Sequence, residues 1–202
     1  MILVAALAGY LIGSAPTAGY LALLKGVDLR TEGSGNPGAH NALRTVGPGL
    51  AAAVLFVEAV KGYGAVWLGV RLFGDPGAVA AGIGAVTGNV YNVWYRFQGG
   101  KGLGISLGVL SAAWPTVVLP ILGVIAVVVT ITRSAGLASL AAMTALVGAS
   151  FLWSAQAWVT GGVEPGIQLV VLSLGMSLVM MWRHIRDSPL TPAWRASRRT
   201  PA

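Results

Sequence analysis

The residues best suited to chemistry lie in a glycine-rich polar segment between two apolar runs. Glycines at this density allow successive backbone N–H groups to converge on an anion. Residues 39–44 are expected to form a helical turn that places Asn41 and Arg44 on one face, and an arginine can hold phosphate through two hydrogen bonds. A flexible linker is the alternative reading of this composition. The phosphate-binding candidates are Gly33, Ser34, Gly35, Asn36, Gly38, Asn41 and Arg44.

A second polar segment, residues 96–102, reads RFQGGKG and directly precedes an apolar run. Phosphate at a helix N-terminus gains free N–H groups and the favourable end of the helix dipole. The spacing is not that of a Walker A loop, and a single GGKG is weak evidence. Two glycine-rich basic loops on one membrane face could, however, hold two phosphates. The candidates here are Gly99, Gly100, Lys101 and Gly102.

Three further titratable residues stand at the ends of, or within, apolar runs. Trp182 and Arg183 resemble an ordinary interfacial anchor, whereas His184 could carry a proton near neutral pH. Glu58 and Lys61 lie one helical turn apart inside an apolar segment. Charges inside a membrane helix are usually paired or functional, so a mutual ion pair and a substrate contact by Lys61 both stay open.

The elements that must position these residues are membrane helices. The chain has 202 residues, of which 55% are hydrophobic and 9% charged, too few charges to solvate a globular surface. The absence of cysteine excludes a disulfide framework, a thiolate zinc site and a cysteine nucleophile. The N-terminus lacks the basic start of a removable signal peptide. We expect an all-α polytopic membrane protein with about seven spans, at 1–24, 48–70, 78–95, 103–113, 116–132, 134–159 and 167–182.

The distribution of basic residues predicts the orientation of these spans. With the N-terminus outside, eleven of the thirteen lysines and arginines fall on the cytoplasmic side, as the positive-inside rule requires. The C-terminus and the glycine-rich loops are then cytoplasmic. The net charge of +7 is explained by this topology and does not indicate nucleic-acid binding. The segment 103–113 is short and could be re-entrant. We expect one membrane domain, 1–187, and a basic tail without stable structure, 188–202.

Several motifs in order give the chain a family resemblance. The sequence VDLRTEGSGNPGAHNALRTVG resembles the signature of the bacterial acyl-phosphate:glycerol-3-phosphate acyltransferases. Three further matches are the GSAP of the first span, EAVKG at residues 58–62 and YRFQGGKGLG at residues 95–104. Arg183 and His184 resemble the family's closing motif. The resemblance covers nearly the whole chain and departs from the family pattern at His40, Asn89 and Asp187.

The resemblance implies a function and roles for particular residues. Such enzymes transfer an acyl group from acyl phosphate to the sn-1 hydroxyl of glycerol 3-phosphate, giving lysophosphatidic acid, in the bacterial cell membrane. The attack is direct, without an acyl-enzyme, cofactor or metal. Ser34, Lys101 and His184 would be the catalytic residues, and Arg44 and Lys101 would neutralise phosphates and developing charge. The acyl chain would lie between helices, with the active site on the cytoplasmic side.

Two other functions remain as alternatives. One is a divergent relative that acts on another phosphorylated acceptor or on none. The other is a small lipid or phosphate carrier, which would be expected to show an internal repeat with matching broken helices. The GSGN segment has no counterpart in the second half of the chain, which counts against transport. Oligomeric state is not indicated by the sequence.

Overall fold

The computed structural model describes residues 1–186 and 188–191, and in this part of the chain the secondary structure is helical. Asp187 and most of the basic tail, 192–202, lie outside the described residues. The α-helices are α1 (Ile2–Ser14), α2 (Thr17–Leu23), α3 (Ala39–Thr45), α4 (Pro48–Val90), α5 (Leu103–Ala113), α6 (Pro115–Thr132), α7 (Ala135–Gln156) and α8 (Ile167–Arg186), with a short 3₁₀ turn at Val93–Tyr95.

Five helical stretches in the described residues are long and apolar enough to cross a membrane. One of them, α4, is bent into two arms because Phe73 and Gly74 leave helical geometry. The shorter apolar helix α5 has 11 residues. With the two arms counted separately and α1 joined to α2, seven apolar helical segments result. The expected all-helical membrane fold is confirmed, while its orientation in the membrane stays a prediction.

Glycines allow the central helices to approach closely. A side chain at Gly13 would collide with the carbonyl of Ala85, which places α1 against the second arm of α4. A side chain at Gly108 would likewise collide with the carbonyl of Ala59, which places α5 against the first arm. Small residues serve this purpose in lipid because helix association there depends on close packing.

The bundle has two distinct ends. At one, which we call the turn end, the N–H of Val163 donates to the carbonyl of Ala113 over 2.8 Å, and the N–H of Glu164 donates to Asp75 Oδ2 over 2.8 Å. The opposite end, which we call the loop end, carries residues 24–47 and 91–102. Both glycine-rich segments therefore lie at the same end of the bundle.

The break between α1 and α2 helps to build the loop end. The interruption at Ala15 and Pro16 frees main-chain carbonyls that would otherwise accept helical hydrogen bonds. Side chains from distant segments take their place. Asn92 Nδ2 donates to the carbonyl of Ser14 over 2.7 Å, and Lys61 Nζ donates to that of Ala15 over 2.8 Å. These bonds attach the first helix to the segments that carry the candidate site.

Candidate active site

The first glycine-rich segment is held in a defined conformation by Asn41. Its Nδ2 donates to the carbonyls of Leu29 and Glu32, both over 2.9 Å, and its Oδ1 accepts from the N–H of Ser34 over 2.9 Å. The expected helical turn is present as α3, and the segment is folded where a flexible linker had been the alternative. Asn41 is only 1% exposed, so its amide shapes the loop and does not face a ligand.

The other candidates in this segment lie at its surface or form its turns. Gly33 and Gly35 have φ values of 60° and 69°, a conformation that favours glycine. Ser34 and Arg44 are exposed, Asn36 is half-buried, and Gly38 is the residue before α3. The segment therefore presents a serine hydroxyl and a guanidinium to the loop end from a fixed backbone.

The second glycine-rich segment closes onto the end of α4. The N–H groups of Gly99 and Gly100 donate to the carbonyls of Val90 and Asn89, over 3.1 and 2.9 Å. These two N–H groups are already engaged, which the motif alone did not predict. A side chain at Gly99 would collide with the Asn89 carbonyl. Glycine at position 99 is thus needed for this close backbone approach.

Gly102 ends this loop and is the residue directly before α5. It has a φ of 85°, and no side chain caps the helix that follows. The N–H groups of the first helical turn have no partner within the helix itself. The start of α5 is therefore suited to an anion, and Lys101 lies directly beside it.

The two glycine-rich segments meet at Pro37 and Gly100. A Cβ on Gly100 would lie 3.7 Å from the carbonyl oxygen of Pro37. Both residues line a small polar cavity together with Glu58 and Asn89. The structure therefore brings together the two segments that sequence reasoning had proposed as one site.

Lys101 and Arg44 act electrostatically on His40 where the two segments meet. The pKa of His40 lies below its usual value, first because the imidazole is partly buried and then because Lys101 and Arg44 are near. The lowered pKa keeps the His40 imidazole mostly neutral near pH 7, so the positive field at this place comes from Lys101 and Arg44. Such a field attracts phosphate groups and is a sound basis for anion binding.

The third candidate segment is part of α8 and supports the second loop. His184 is 1% exposed, and its Nε2 lies 3.1 Å from the carbonyl oxygen of Lys101. A carbonyl oxygen only accepts hydrogen bonds, so this contact requires a proton on Nε2. Arg183 donates to the carbonyls of Val90 and Phe97, each over 3.1 Å. The segment therefore does more than anchor the helix at the interface.

Glu58 and Lys61 form the mutual ion pair that their spacing allowed. The ammonium lies 3.0 Å from both carboxylate oxygens, and each side chain is 9% exposed. Glu58 also accepts from Thr17 over 3.0 Å and from Asn89 over 2.6 Å. With the further bond to Ala15, the donors of Lys61 are occupied by protein. The geometry favours a structural role for Lys61 over a substrate contact.

An apolar cleft begins where the second loop ends. It has a volume of about 210 Å³ and lies between the first arm of α4 and helices α5 to α8. Leu103 and Gly104, the first residues of α5, line one part of it, and Leu110 and Leu146 line another. A hydrocarbon chain is the natural occupant of such a space.

Sequence reasoning missed four residues that build the loop end. Asn92 and Tyr95 donate to the carbonyls freed by the helix break. Arg30 and Arg96 line a further polar cavity. Of these four residues, only Arg30 could have been found from the sequence, through its spacing from Asp28. The contacts of the others join distant parts of the chain. No group of three or more histidine, cysteine, aspartate or glutamate residues suited to a metal is present in residues 1–186 and 188–191.

Comparison with known proteins agrees with this arrangement. The family model described as glycerol-3-phosphate acyltransferase matches residues 3–189. The glycerol-3-phosphate acyltransferase of Myxococcus xanthus is 41% identical over 196 residues, 96% of each chain. That of Gloeobacter violaceus is 40% identical over 185 residues, 88% of this chain and 84% of the relative.

Two solved structures have the same fold. Both are crystal structures of PlsY (YgiH), an integral membrane glycerol 3-phosphate acyltransferase. The glycerol 3-phosphate form has a TM-score of 0.78 and 29% identity and covers 92% of this chain and 89% of that one. The lysophosphatidic acid form has a TM-score of 0.76 and covers 91% of this chain and 87% of that one. The match over almost the entire chain confirms the resemblance, and this protein belongs to the glycerol-3-phosphate acyltransferase family of integral membrane enzymes.

Proposed function

We propose that this acyltransferase uses acyl phosphate as donor and acylates the sn-1 hydroxyl of glycerol 3-phosphate at the loop end, on the cytoplasmic side of the bacterial cell membrane. One observation carries the proposal. The loop that holds Lys101 stands between a basic polar cluster and an apolar cleft, and the first residues of α5 line that cleft. A donor with an anionic head and a hydrocarbon tail matches this boundary.

The donor would lie along the start of α5. Its acyl chain would enter the cleft past Leu103 and Gly104. Its phosphate would then lie near Lys101 and the N–H groups of the first helical turn, where the helix dipole also favours negative charge. This placement holds the carbonyl carbon at the boundary between the polar and apolar spaces.

The acceptor would bind on the other side of the loop contact. Ser34 and Arg44 are exposed there on a rigid backbone, and Lys101 adds to the positive field. An arginine and a hydroxyl are suitable partners for the phosphate of glycerol 3-phosphate. The free hydroxyls of the acceptor would then point towards the donor carbonyl.

In the proposed transfer no acyl-enzyme, cofactor or metal takes part. The sn-1 oxygen attacks the carbonyl carbon, a new ester C–O bond forms, and the anhydride C–O bond breaks with its electron pair leaving on phosphate. The departing phosphate can accept the hydroxyl proton. Lys101 and Arg44 would stabilise the negative charge of the transition state, and holding both substrates in place lowers the entropic part of the barrier.

His184 would act on Lys101 through the main chain. Its ring fixes the carbonyl of Lys101 and so the direction from which the ammonium approaches the donor phosphate. The buried position of His184 agrees with a positioning residue. Lysophosphatidic acid is the product of the transfer.

The test is phosphate release by the purified full chain in lipid, given acyl phosphate with and without glycerol 3-phosphate. We expect release to require the acceptor and to fall at least a hundredfold in Lys101→Ala and Ser34→Ala. Arg133→Ala, at the exposed turn between α6 and α7, is the matched control and should keep its rate. Acceptor-independent release, or equal rates in all variants, would overturn the proposal. An acyl coenzyme A used as efficiently would refute the donor class.

A further inference from the structure

A second polar cavity lies at the loop end, beside the proposed reaction site. Its volume is about 420 Å³. It is formed between the start of the first glycine-rich segment and the turn that precedes the second. The residues that line it include Arg30, Gly35, Trp94, Tyr95, Arg96 and Gln98.

Arg30 is held rigidly at one wall of the cavity. Its Nε and Nη2 donate to the two carboxylate oxygens of Asp28 over 3.0 and 2.7 Å. Its guanidinium carbon lies 5.3 Å from the centre of the Tyr95 ring. The side chain is still half exposed, so donors not used by Asp28 remain for a ligand.

Arg96 also lines the cavity and has an unusual backbone conformation. The backbone φ values of Arg96 and Phe97 are 52° and 62°, a conformation that residues other than glycine seldom adopt. The N–H of Phe97 donates to the carbonyl of Asn92 over 2.8 Å, and this bond holds the turn. Among the described residues no carboxylate lies within 4.0 Å of the Arg96 guanidinium. Strain of this kind clusters at binding sites.

This cavity is separate from the cluster assigned to the reaction. His40, Arg44 and Lys101 do not line it. Tyr95 lines both this cavity and the small polar cavity beside Gly100, and it therefore forms a wall between them. The two arginines therefore provide a positive site that the acyl transfer does not use.

The surroundings of the cavity favour a lipid over a free phosphate. Trp94 and Phe97 are 65% and 58% exposed, next to Arg96 in the same turn. Tryptophan and other amphipathic side chains are enriched where a protein meets the headgroup layer, and basic pockets near that layer bind anionic headgroups. We infer that the cavity between Arg30 and Arg96 binds the phosphate of an anionic phospholipid headgroup, with the acyl chains lying along the exposed aromatic residues.

The test is a binding measurement on the detergent-solubilised full chain, titrated with phosphatidylglycerol, with phosphatidylcholine as zwitterionic control. No acyl phosphate or acceptor is added, so the outcome does not depend on the proposed reaction. Native mass spectrometry counts the bound lipids. We expect phosphatidylglycerol to bind at least fivefold tighter than phosphatidylcholine. Arg96→Gln should remove most of this difference, whereas Arg133→Gln should keep it.

Further variants separate the components of the site. Arg96→Lys keeps the charge but loses the planar fork, and we expect an intermediate affinity. Trp94→Ala should weaken both lipids, because it removes the apolar contact. Equal binding of phosphatidylglycerol by Arg96→Gln and the unmodified chain would overturn the inference. Displacement of the lipid by low millimolar inorganic phosphate would also overturn it, since the cavity would then be a site for free phosphate.

Discussion

The ion pair between Glu58 and Lys61 gives the sharpest prediction. Both side chains are 9% exposed, and Lys61 also caps the carbonyl of Ala15 at the helix break. Lys61→Met leaves a buried carboxylate with only Thr17 and Asn89 as partners. Removing one partner of a buried pair costs about 3–5 kcal/mol. In a chain of this size that corresponds to a fall in Tm of about 6–20 °C.

The double variant Glu58→Gln and Lys61→Met should be more stable than Lys61→Met alone. No charge remains buried, and the amide can still contact Asn89. What stays is the unpaired carbonyl of Ala15, worth about 1–3 kcal/mol. From the midpoints of the two ranges, the double variant should recover about 2 kcal/mol relative to Lys61→Met alone.

Thermal unfolding of the solubilised protein, followed together with acyl transfer at a permissive temperature, measures both effects. We expect the recovery of stability in the double variant to be accompanied by recovery of activity. A double variant as unstable as the sum of the single ones would refute the ion-pair reasoning. A stable double variant without activity would show instead that one of the two side chains contacts a substrate. Arg71→Met, at the turn end of the first arm, serves as a control for the loss of a positive charge that is not part of the Glu58–Lys61 pair.

Three other predictions follow from the loops and the cleft. Gly99→Ala should lower both Tm and activity, because its Cβ would collide with a main-chain carbonyl of α4, whereas Gly123→Ala should change neither, since nothing lies within 4 Å of that position. The Asp28 carboxyl group has its pKa lowered to about 2 by its bonds to Arg30. The stability that it contributes is therefore present above about pH 4 and lost as the pH falls through 2, and Asp28→Asn should flatten this part of an acid-unfolding curve. Leu110→Trp should shift the preferred donor to shorter acyl phosphates, measured by competition between chain lengths, because this residue lines the cleft.

The sequence by itself determined the class of protein, the positions of the helical segments and the family. Apolar runs and their interruptions are local properties, so the break at Pro16, the bend near Gly74 and the short helix α5 all lay where composition changes. The pairing of Glu58 with Lys61 was also within reach, because residues three apart meet on any α-helix. The motifs around Ser34 and Lys101 indicated the family because a motif, too, is a local property of the sequence.

Only the tertiary structure decided how the polar residues are used. Asn41 is occupied by its own loop, and the N–H groups of Gly99 and Gly100 are occupied by the end of α4. His184 meets Lys101 across 83 positions of the chain. A side chain has a fixed number of donors and acceptors, and which of them remain for a ligand depends on neighbours that spacing along the chain does not specify. The cleft depends even more on tertiary structure, since it exists only where helices α5 to α8 and the first arm of α4 fail to close completely.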